Sequence, residues 1–240
     1  MRAKKQPAAR VSKKRVEQLK EVLAILDAEQ GSPRFIPRFT AMEELVSCIL
    51  TQHTSDANSF PAFTNLLESF PTWHDVVEAG AERVAGVIRS AGLANQKSKS
   101  IVNSLREIHG RTGSYSLEVL RDMDTGQAQD WLQSLPGVGP KTASIVLCFA
   151  MGRDAIPVDT HVYRVSWRLG LVREGVGELK AFEELTRMMP TGLSYRFHLA
   201  LIQHGRMVCK AKTPLCDLCS IRDLCDFGKR QVKGSISKTI

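Results

Sequence analysis

The feature that most restricts the fold of this chain is a helical spacing of apolar residues, which recurs along most of the sequence. Between residues 13 and 28, apolar side chains return every three or four positions with charged residues between them: Val16, Leu19, Val22, Leu23 and Leu26. No β-branched alternating run of any length occurs, and no Asn-Gly or Asp-Gly pair joins two such runs. The sequence therefore predicts an all-α protein, built from about ten short helices on short loops.

The same spacing, interrupted by glycine and proline, sets the expected helix boundaries. Pro33 and Pro37 exclude a regular helix from the connection that follows residue 28. Helices are expected over residues 13–28, 41–51, 54–69, 73–78, 80–91, 95–109, 115–122, 127–134, 141–151, 160–169, 177–188 and 192–208.

Composition limits the class of protein. Hydrophobic residues make up 43% and charged residues 24% of 240 residues, which is ordinary for a folded domain. The longest apolar stretch, residues 143–150, is far shorter than the roughly 20 residues that span a membrane. Because the N-terminus is basic rather than apolar, no secretory signal is indicated. We expect a soluble intracellular protein that has no membrane partner and is not secreted.

The net charge of +8 is concentrated at the two ends of the chain. Residues 1–15 hold seven basic and no acidic residues, and residues 226–240 hold four basic residues and one acid. The rest of the chain is slightly acidic. Basic ends favour attraction to a polyanion such as nucleic acid, although an idle solvated tail is equally compatible with them.

The segment LPGVGPKTA, residues 135–143, carries the first chemical signal. Gly137 and Gly139 permit backbone conformations that other residues avoid, and the turn opens a helix whose first N–H groups are free to bind an anion. A helix, tight hairpin and second helix of this kind can grip a phosphate through Gly137, Val138 and Gly139 without reading sequence. The alternative is a plain Gly/Pro turn between two packed helices.

Lys141 and Asp159 are the candidate catalytic residues. A lysine in the first turn of a helix is at the wrong end of the helix dipole, so Lys141 either neutralises a phosphate or acts as an amine nucleophile. Asp159, in Val158-Asp159-Thr160-His161-Val162, is placed to cap the next helix or to serve as a catalytic carboxylate. Position alone leaves both choices open.

Four cysteines lie close together near the C-terminus, as Cys209, Cys216, Cys219 and Cys225. A chain without an export signal is expected to keep its thiols reduced, so this cluster predicts a metal centre. The irregular spacing favours a four-thiolate [4Fe–4S] cluster over a structural zinc, which remains the alternative. Lys210 and Lys212 within the first loop are candidate phosphate contacts, whereas the isolated Cys48 and Cys148 are expected in the core.

LPGVGPKTA, then VDTHVYR, then the four cysteines at these intervals closely resemble the endonuclease III family of helix–hairpin–helix DNA glycosylases. The resemblance runs from about residue 16 to residue 228. It implies a two-domain all-α fold, with a six-helix barrel domain over 40–153 and an iron–sulfur cluster domain formed by 16–39 and 154–228. Residues 1–15 and 229–240 remain as basic tails, the first of them expected to be disordered. The DNA cleft is expected between the domains.

The resemblance also implies an activity. Lys141 attacks C1′ of a flipped-out damaged nucleotide, Asp159 assists departure of the base, and the resulting Schiff base leads to β-elimination of the strand. Leu93 resembles the family's intercalating leucine, and Gln52 or His53 the residue that fills the gap left by the flipped base. The expected protein is a monomeric glycosylase and abasic-site lyase that acts on oxidised pyrimidines in double-stranded DNA. In a bacterium it is expected in the cytoplasm with the nucleoid.

Departures from related branches narrow this expectation. Adenine-mismatch relatives carry a glutamate where this chain has Cys48 and lack a lysine at the position of Lys141; thymine-mismatch relatives usually lack that lysine too. Two other readings stay open: a monofunctional glycosylase that removes a base without cutting the strand, and a non-catalytic DNA-binding module.

Overall fold

The computed structural model describes residues 12–236 and divides into two compact units. One, the central unit, is the continuous segment Phe35–Pro157, and the other, the split unit, combines Met1–Arg34 with Val158–Ile240. The described residues contain helices and short turns but no strand, so the all-α prediction is confirmed for this part of the chain. No helix among them is long and apolar enough to cross a bilayer.

Most helix boundaries lie within a few residues of the predicted ones, but residues 115–122, predicted as a helix, hold only a short 3-10 turn. The α-helices of the described residues are α1 Lys13–Gln30, α2 Ala41–Thr51, α3 Asp56–Ser69, α4 Trp73–Val87, α5 Ala94–Thr112, α6 Thr125–Gln133, α7 Pro140–Ile145, α8 Thr160–Leu169, α9 Gly177–Met188, α10 Ser194–Met207 and α11 Asp226–Ile236. A π-helical turn, Val146–Ala150, continues α7, and short 3-10 turns cover the segments Arg89–Ala91 and Glu118–Asp122.

The starts of the helices in the central unit are fixed by local side chains. Thr40 and Glu43 form a capping box at α2, in which each side chain satisfies a backbone N–H of the other residue. Thr72 with Asp75 at α4 and Asp124 with Gln127 at α6 repeat the arrangement. Gly80, with φ of 73°, kinks α4 at the point where the sequence predicts two separate helices.

The core of the central unit is made by the apolar faces of α2 to α7. Helix α2 packs against α3, α5 and α7, and α4 packs along α5. Large fully buried side chains fill the space between them: Leu45, Ile49, Leu50, Leu66, Ile88, Ile101, Leu105 and Ile108. This packing brings the end of α2, the start of α5 and the α6–α7 turn together as parts of one body.

The split unit is held by α10, which packs against both α1 and α8, while α11 packs against α8. Gln18 of α1 reinforces this arrangement by donating from its amide to the carbonyl oxygens of Leu169 at 2.8 Å and Leu224 at 2.7 Å. A segment from the start of the chain is thereby fastened to the segment that holds the four cysteines.

The ends of the chain differ in extent from the predicted tails. Helix α1 begins at Lys13, and Arg15 donates a hydrogen bond to the carbonyl of Leu171, because the apolar face of α1 is buried in the split unit. Helix α11 continues to Ile236 over residues predicted as tail, with Phe227 packed edge-on against Trp167. The rest of the two predicted tails, residues 1–11 and 237–240, lies outside the described residues.

Candidate functional site

The turn between α6 and α7 packs against two serines of α5, one of which forms a hydrogen bond to it. Ser104 Oγ donates to the carbonyl oxygen of Pro136 at 2.8 Å. Gly137 has φ of 76°, and a Cβ at that position would lie 2.6 Å from Ser100 Oγ. Glycine is therefore required at residue 137 both by the backbone conformation and by the lack of space. Sequence reasoning identified the glycine but not the two serines against which it packs.

The remaining hairpin residues prepare the start of α7. Val138 is buried, so it presents only its main chain to a ligand. Gly139 is the N-cap residue and Pro140 occupies the first turn, where its missing N–H costs nothing. The first N–H groups of α7 have no acceptor within the helix, which is the arrangement that stabilises an anion.

Lys141 follows this turn with an exposed side chain. Its neighbour on α2, Cys48, is a neutral thiol, because burial raises the pKa of Cys48 well above its ordinary value and the Glu44 carboxylate adds to that effect; the Lys141 ammonium opposes it. Glu44 is fully buried and accepts two hydrogen bonds from Arg38, at 2.7 and 3.0 Å. Both groups thus have partners of their own, whereas the Lys141 side chain is exposed at the start of α7.

Asp159 lies at the start of α8 in the split unit and caps that helix. Its Oδ1 accepts a hydrogen bond from the backbone N–H of Val162 at 2.8 Å, and the side chain is half-buried. One carboxylate oxygen satisfies the cap, so the other is available to a ligand. The capping interpretation and the catalytic one are compatible in this geometry.

His161 and Arg164 support the first turn of α8. Arg164 donates to the carbonyl oxygens of Gly205 at 2.8 Å and Cys209 at 3.1 Å, and its Nη2 lies 3.1 Å from Nδ1 of His161. Burial lowers the pKa of His161, the Asp159 carboxylate acts in the opposite direction, and Arg164 adds to the lowering. Arg164 therefore joins the first turns of α8 to the end of α10 and to Cys209, and the lowered pKa favours the neutral form of His161.

Gln52 and His53, which the sequence left as alternatives, have different environments. Gln52 Nε2 donates to the Gly137 carbonyl at 2.9 Å and lies 3.4 Å from the hydroxyl of Thr142. His53 is exposed and has a left-handed backbone, with φ of 53°. Leu93 shares both properties, with φ of 47° and 55% of its surface exposed.

The four clustered cysteines line a single pocket of the split unit. All are free thiols, and the wall between them is largely apolar, including Val165, Leu169 and Ile221. Burial raises the pKa of Cys219 to about 11 and also raises those of Cys216 and Cys225, with neighbouring thiols contributing. The raised pKa values favour the neutral thiols. Thiolates would be stable in this pocket only with a positive centre among them.

Arg168 is a residue of this pocket that sequence reasoning missed. Its guanidinium is buried and donates to Cys209 Sγ at 3.2 Å, to the carbonyl of Lys210 at 2.8 Å and to that of Ala211 at 2.9 Å. The carbonyl oxygen of Arg168 lies 3.1 Å from Cys225 Sγ. An arginine nine residues after Asp159 gives no signal in the sequence that it folds against a loop 41 residues away.

The donor set suits an iron–sulfur cluster. Four thiols at one apolar pocket, with N–H groups of Arg168 and Gly228 directed at two of the sulfurs, match the thiolate ligands and hydrogen bonds that such clusters use. Among residues 12–231, no three His, Cys, Asp or Glu side chains are grouped to hold a single metal ion. The side chains of Lys210 and Lys212 are exposed on the loop that Arg168 holds.

Two family profiles match the chain. That of the HhH-GPD superfamily base excision DNA repair proteins matches residues 46–191, and that of the iron–sulfur binding domain of endonuclease III matches residues 209–225. The second covers all four clustered cysteines.

Individual relatives agree with these profiles. Endonuclease III of Thermotoga maritima is 33% identical over 192 residues, which are 80% of this chain and 85% of the relative. A putative DNA glycosylase of Arabidopsis thaliana is 34% identical over 72% of this chain, which spans 59% of that protein. The solved structure of a trapped endonuclease III–DNA covalent intermediate is 30% identical, with a TM-score of 0.74 over 90% of this chain and 98% of that one.

Proposed function

Because the chain belongs to the endonuclease III family of HhH-GPD base excision DNA repair proteins, we propose that it excises oxidised pyrimidines from double-stranded DNA and then cuts the abasic strand. Membership of the family makes it a base-excision DNA glycosylase. The proposal adds the substrate class and the lyase step. It also assumes that the protein acts as a monomer on DNA that contains damaged bases or abasic sites. In a bacterium, that places it in the cytoplasm with the nucleoid.

The reaction needs an amine and a carboxylate. Lys141 Nζ forms a bond to C1′ as the C1′–base bond breaks, and the base leaves with the electron pair and takes up a proton. Asp159 accepts the proton lost by the lysine and stabilises the positive charge that develops on the sugar. The sugar ring opens to a Schiff base, loss of the C2′ proton follows, and the 3′ phosphate departs by β-elimination. Water then releases the lysine.

The observation that carries this proposal is the placement of Lys141. An exposed amine directly follows a hairpin with free N–H groups, and the neighbouring Cys48 and Glu44 are unavailable for chemistry. A module that only docked on DNA would need the hairpin but not the amine. The trapped covalent DNA intermediate of an endonuclease III adds support from a relative of this chain.

The loops suggest how a nucleotide is taken out of the helix. We assign the gap-filling role to His53 rather than Gln52, because the Gln52 amide is bonded to the hairpin whereas the His53 side chain is exposed. Leu93 is the exposed apolar wedge on the second loop. Extrusion of a base costs a few kcal/mol of stacking and pairing, which inserted side chains offset.

Cys209, Cys216, Cys219 and Cys225 are proposed to hold a [4Fe–4S] cluster. When bound, the cluster cross-links the segment after α10 and supplies no group to the excision steps given above. This fixes the loop that carries Lys210 and Lys212, which we propose to contact phosphates. Replacing either lysine with alanine is expected to weaken binding for all sequences and to reduce the salt dependence by about one counterion each. Iron and zinc analysis of the purified protein separates the cluster from the zinc alternative.

Borohydride trapping on a duplex with one abasic site tests the lyase proposal. We expect a covalent adduct with the wild-type protein, none with Lys141→Gln, and an unchanged adduct with Lys99→Gln, which removes an exposed lysine of α5. Lys141→Gln should still bind the abasic duplex. Base release from a duplex with one damaged base, without an adduct on the abasic duplex, would indicate the monofunctional glycosylase, and binding with neither would indicate the non-catalytic module. Duplexes with single oxidised pyrimidines then test the substrate class.

A further inference from the structure

A buried ammonium group lies at the start of α5, outside the residues assigned so far. Lys97 is 3% exposed, and its Nζ donates to the carbonyl oxygen of Leu50 at 2.7 Å and to that of Ala91 at 2.8 Å. Both acceptors belong to fully buried residues. Burial lowers the pKa of Lys97, so the charged form is retained at a cost that its hydrogen bonds offset. A lysine here needs an explanation, because near the start of a helix its charge opposes the helix dipole.

The two carbonyl groups lie just before the loops that carry His53 and Leu93. Leu50 is in the last turn of α2, where backbone carbonyls lack helical partners, and Ala91 ends the short turn before α5. His53 follows Leu50 by three residues, and Leu93 follows Ala91 by two. One ammonium therefore bridges the roots of both loops.

In both loops, the residue proposed to enter the DNA has a strained backbone conformation. His53 and Leu93 are the non-glycine residues with positive φ among residues 12–236, at 53° and 47°. Such conformations persist only where the surrounding structure holds them. Loops that contain them need fixed roots, and the Lys97 ammonium donates a hydrogen bond to each root.

We infer that Lys97 is a positioning residue, which sets the His53 and Leu93 loops relative to each other so that wedge and gap-filling side chains enter the DNA together. The inference rests on the proposed function for the role of the loops, and on hydrogen bonds and burial for the coupling. Lys97 touches neither DNA nor the reacting atoms in this scheme. Removing its charge leaves two buried carbonyls unpaired and lets each loop relax on its own.

Amide hydrogen exchange of the free protein tests the coupling without reference to activity. Lys97→Met keeps the apolar stem and removes the donors, and Lys99→Met is the matched control on the exposed face of α5. We expect exchange in residues 51–55 and 92–96 to quicken together in Lys97→Met by about tenfold or more, since a hydrogen bond from a charged group contributes on that order. Exchange at wild-type rates in both loops would overturn the inference, whatever the protein does to DNA.

Activity then tests the role of the coupling. In single-turnover base release, Lys97→Met should be slowed by up to about 100-fold, the order of loss that a small misplacement causes, while binding to undamaged duplex changes little. Leu93→Ala should slow base release much less in the Lys97→Met background than in the wild type, because both changes impair the same insertion of the loops into DNA. Full additivity would contradict the shared role. If the wild-type protein releases no base, the proposed function fails and the exchange result still decides the coupling.

If Lys97→Met folds poorly, a second variant still tests the inference. Lys97→Arg keeps the cation with a different donor geometry, and its exchange is measured in the same peptides. Acceleration confined to the two loops supports the inference. Uniform acceleration across α2, α4 and α5 would instead make Lys97 a general stability residue and overturn it.

Discussion

The side-chain amide of Gln52 donates a hydrogen bond to the carbonyl oxygen of Gly137 at 2.9 Å, which joins the end of α2 to the turn of the hairpin. The two residues are 85 positions apart in sequence. A loop proposed to fill a gap in DNA is thus tied to a turn proposed to hold its backbone. This contact also separates the roles of two adjacent residues, because it occupies Gln52 and leaves His53 exposed.

Gln52→Glu removes the amide donor with almost no change in shape. We expect affinity for undamaged duplex to fall by about fivefold, since one neutral hydrogen bond contributes on the order of 1 kcal/mol. Titration with a labelled duplex measures it. Gln203→Glu, on the exposed face of α10, changes the net charge equally and serves as the control. Equal losses in the two variants would show that charge alone is responsible.

Gly137→Ala and Gly139→Ala form a matched pair within one turn. Gly137 has φ of 76° and Ser100 Oγ 2.6 Å from a new Cβ, whereas the Gly139 backbone is extended and nothing lies within 4 Å of its Cβ position. We expect Gly137→Ala to lower the free energy of unfolding by about 2 kcal/mol, through strain and overpacking, and Gly139→Ala to change it little. Urea denaturation followed by circular dichroism compares them, and similar stabilities would contradict the assignment.

Arg168→Met tests the residue that lines the cysteine pocket and donates to Cys209 Sγ. It also releases the carbonyls of Lys210 and Ala211, so the ligand loop loses its internal support. Loss of such supporting groups typically costs 10–100-fold in metal affinity, and we expect iron to be lost to a chelator at least about tenfold faster. Arg222→Met is the control, since Arg222 lines the same pocket and its guanidinium forms long ion pairs with Asp217 and Asp223, at 3.8 and 3.7 Å. Equal iron retention in both variants would refute the role of Arg168.

The lowered pKa of His161 predicts a contribution to the acid sensitivity of the protein. Below the ordinary pKa of 6.5, the unfolded chain binds a proton at this position that the folded chain resists. The stability that His161 contributes is therefore complete above that value and is lost as the pH falls through the folded pKa. Thermal unfolding between about pH 8 and pH 5 should show a smaller decline for His161→Asn than for the wild type. An identical decline would place the acid sensitivity at other groups.

Local sequence determined the ends of the helices and the motifs of the candidate site. Helix ends follow capping residues such as Thr40 and Asp124, and the kink of α4 follows Gly80, because these effects act within one turn of the chain. The hairpin and the cysteine cluster are likewise short segments whose residues carry their chemistry with them. These segments alone are enough to indicate the family.

Tertiary structure decided which side chains meet across long stretches of sequence. No pattern indicates that Lys97 reaches the carbonyl of Leu50, or that Arg168 reaches the loop after Cys209. Nor does sequence distinguish Gln52 from His53, since both are polar residues at the end of one helix. These contacts depend on how whole helices pack, and packing is set by the sum of many small apolar contacts rather than by any one residue.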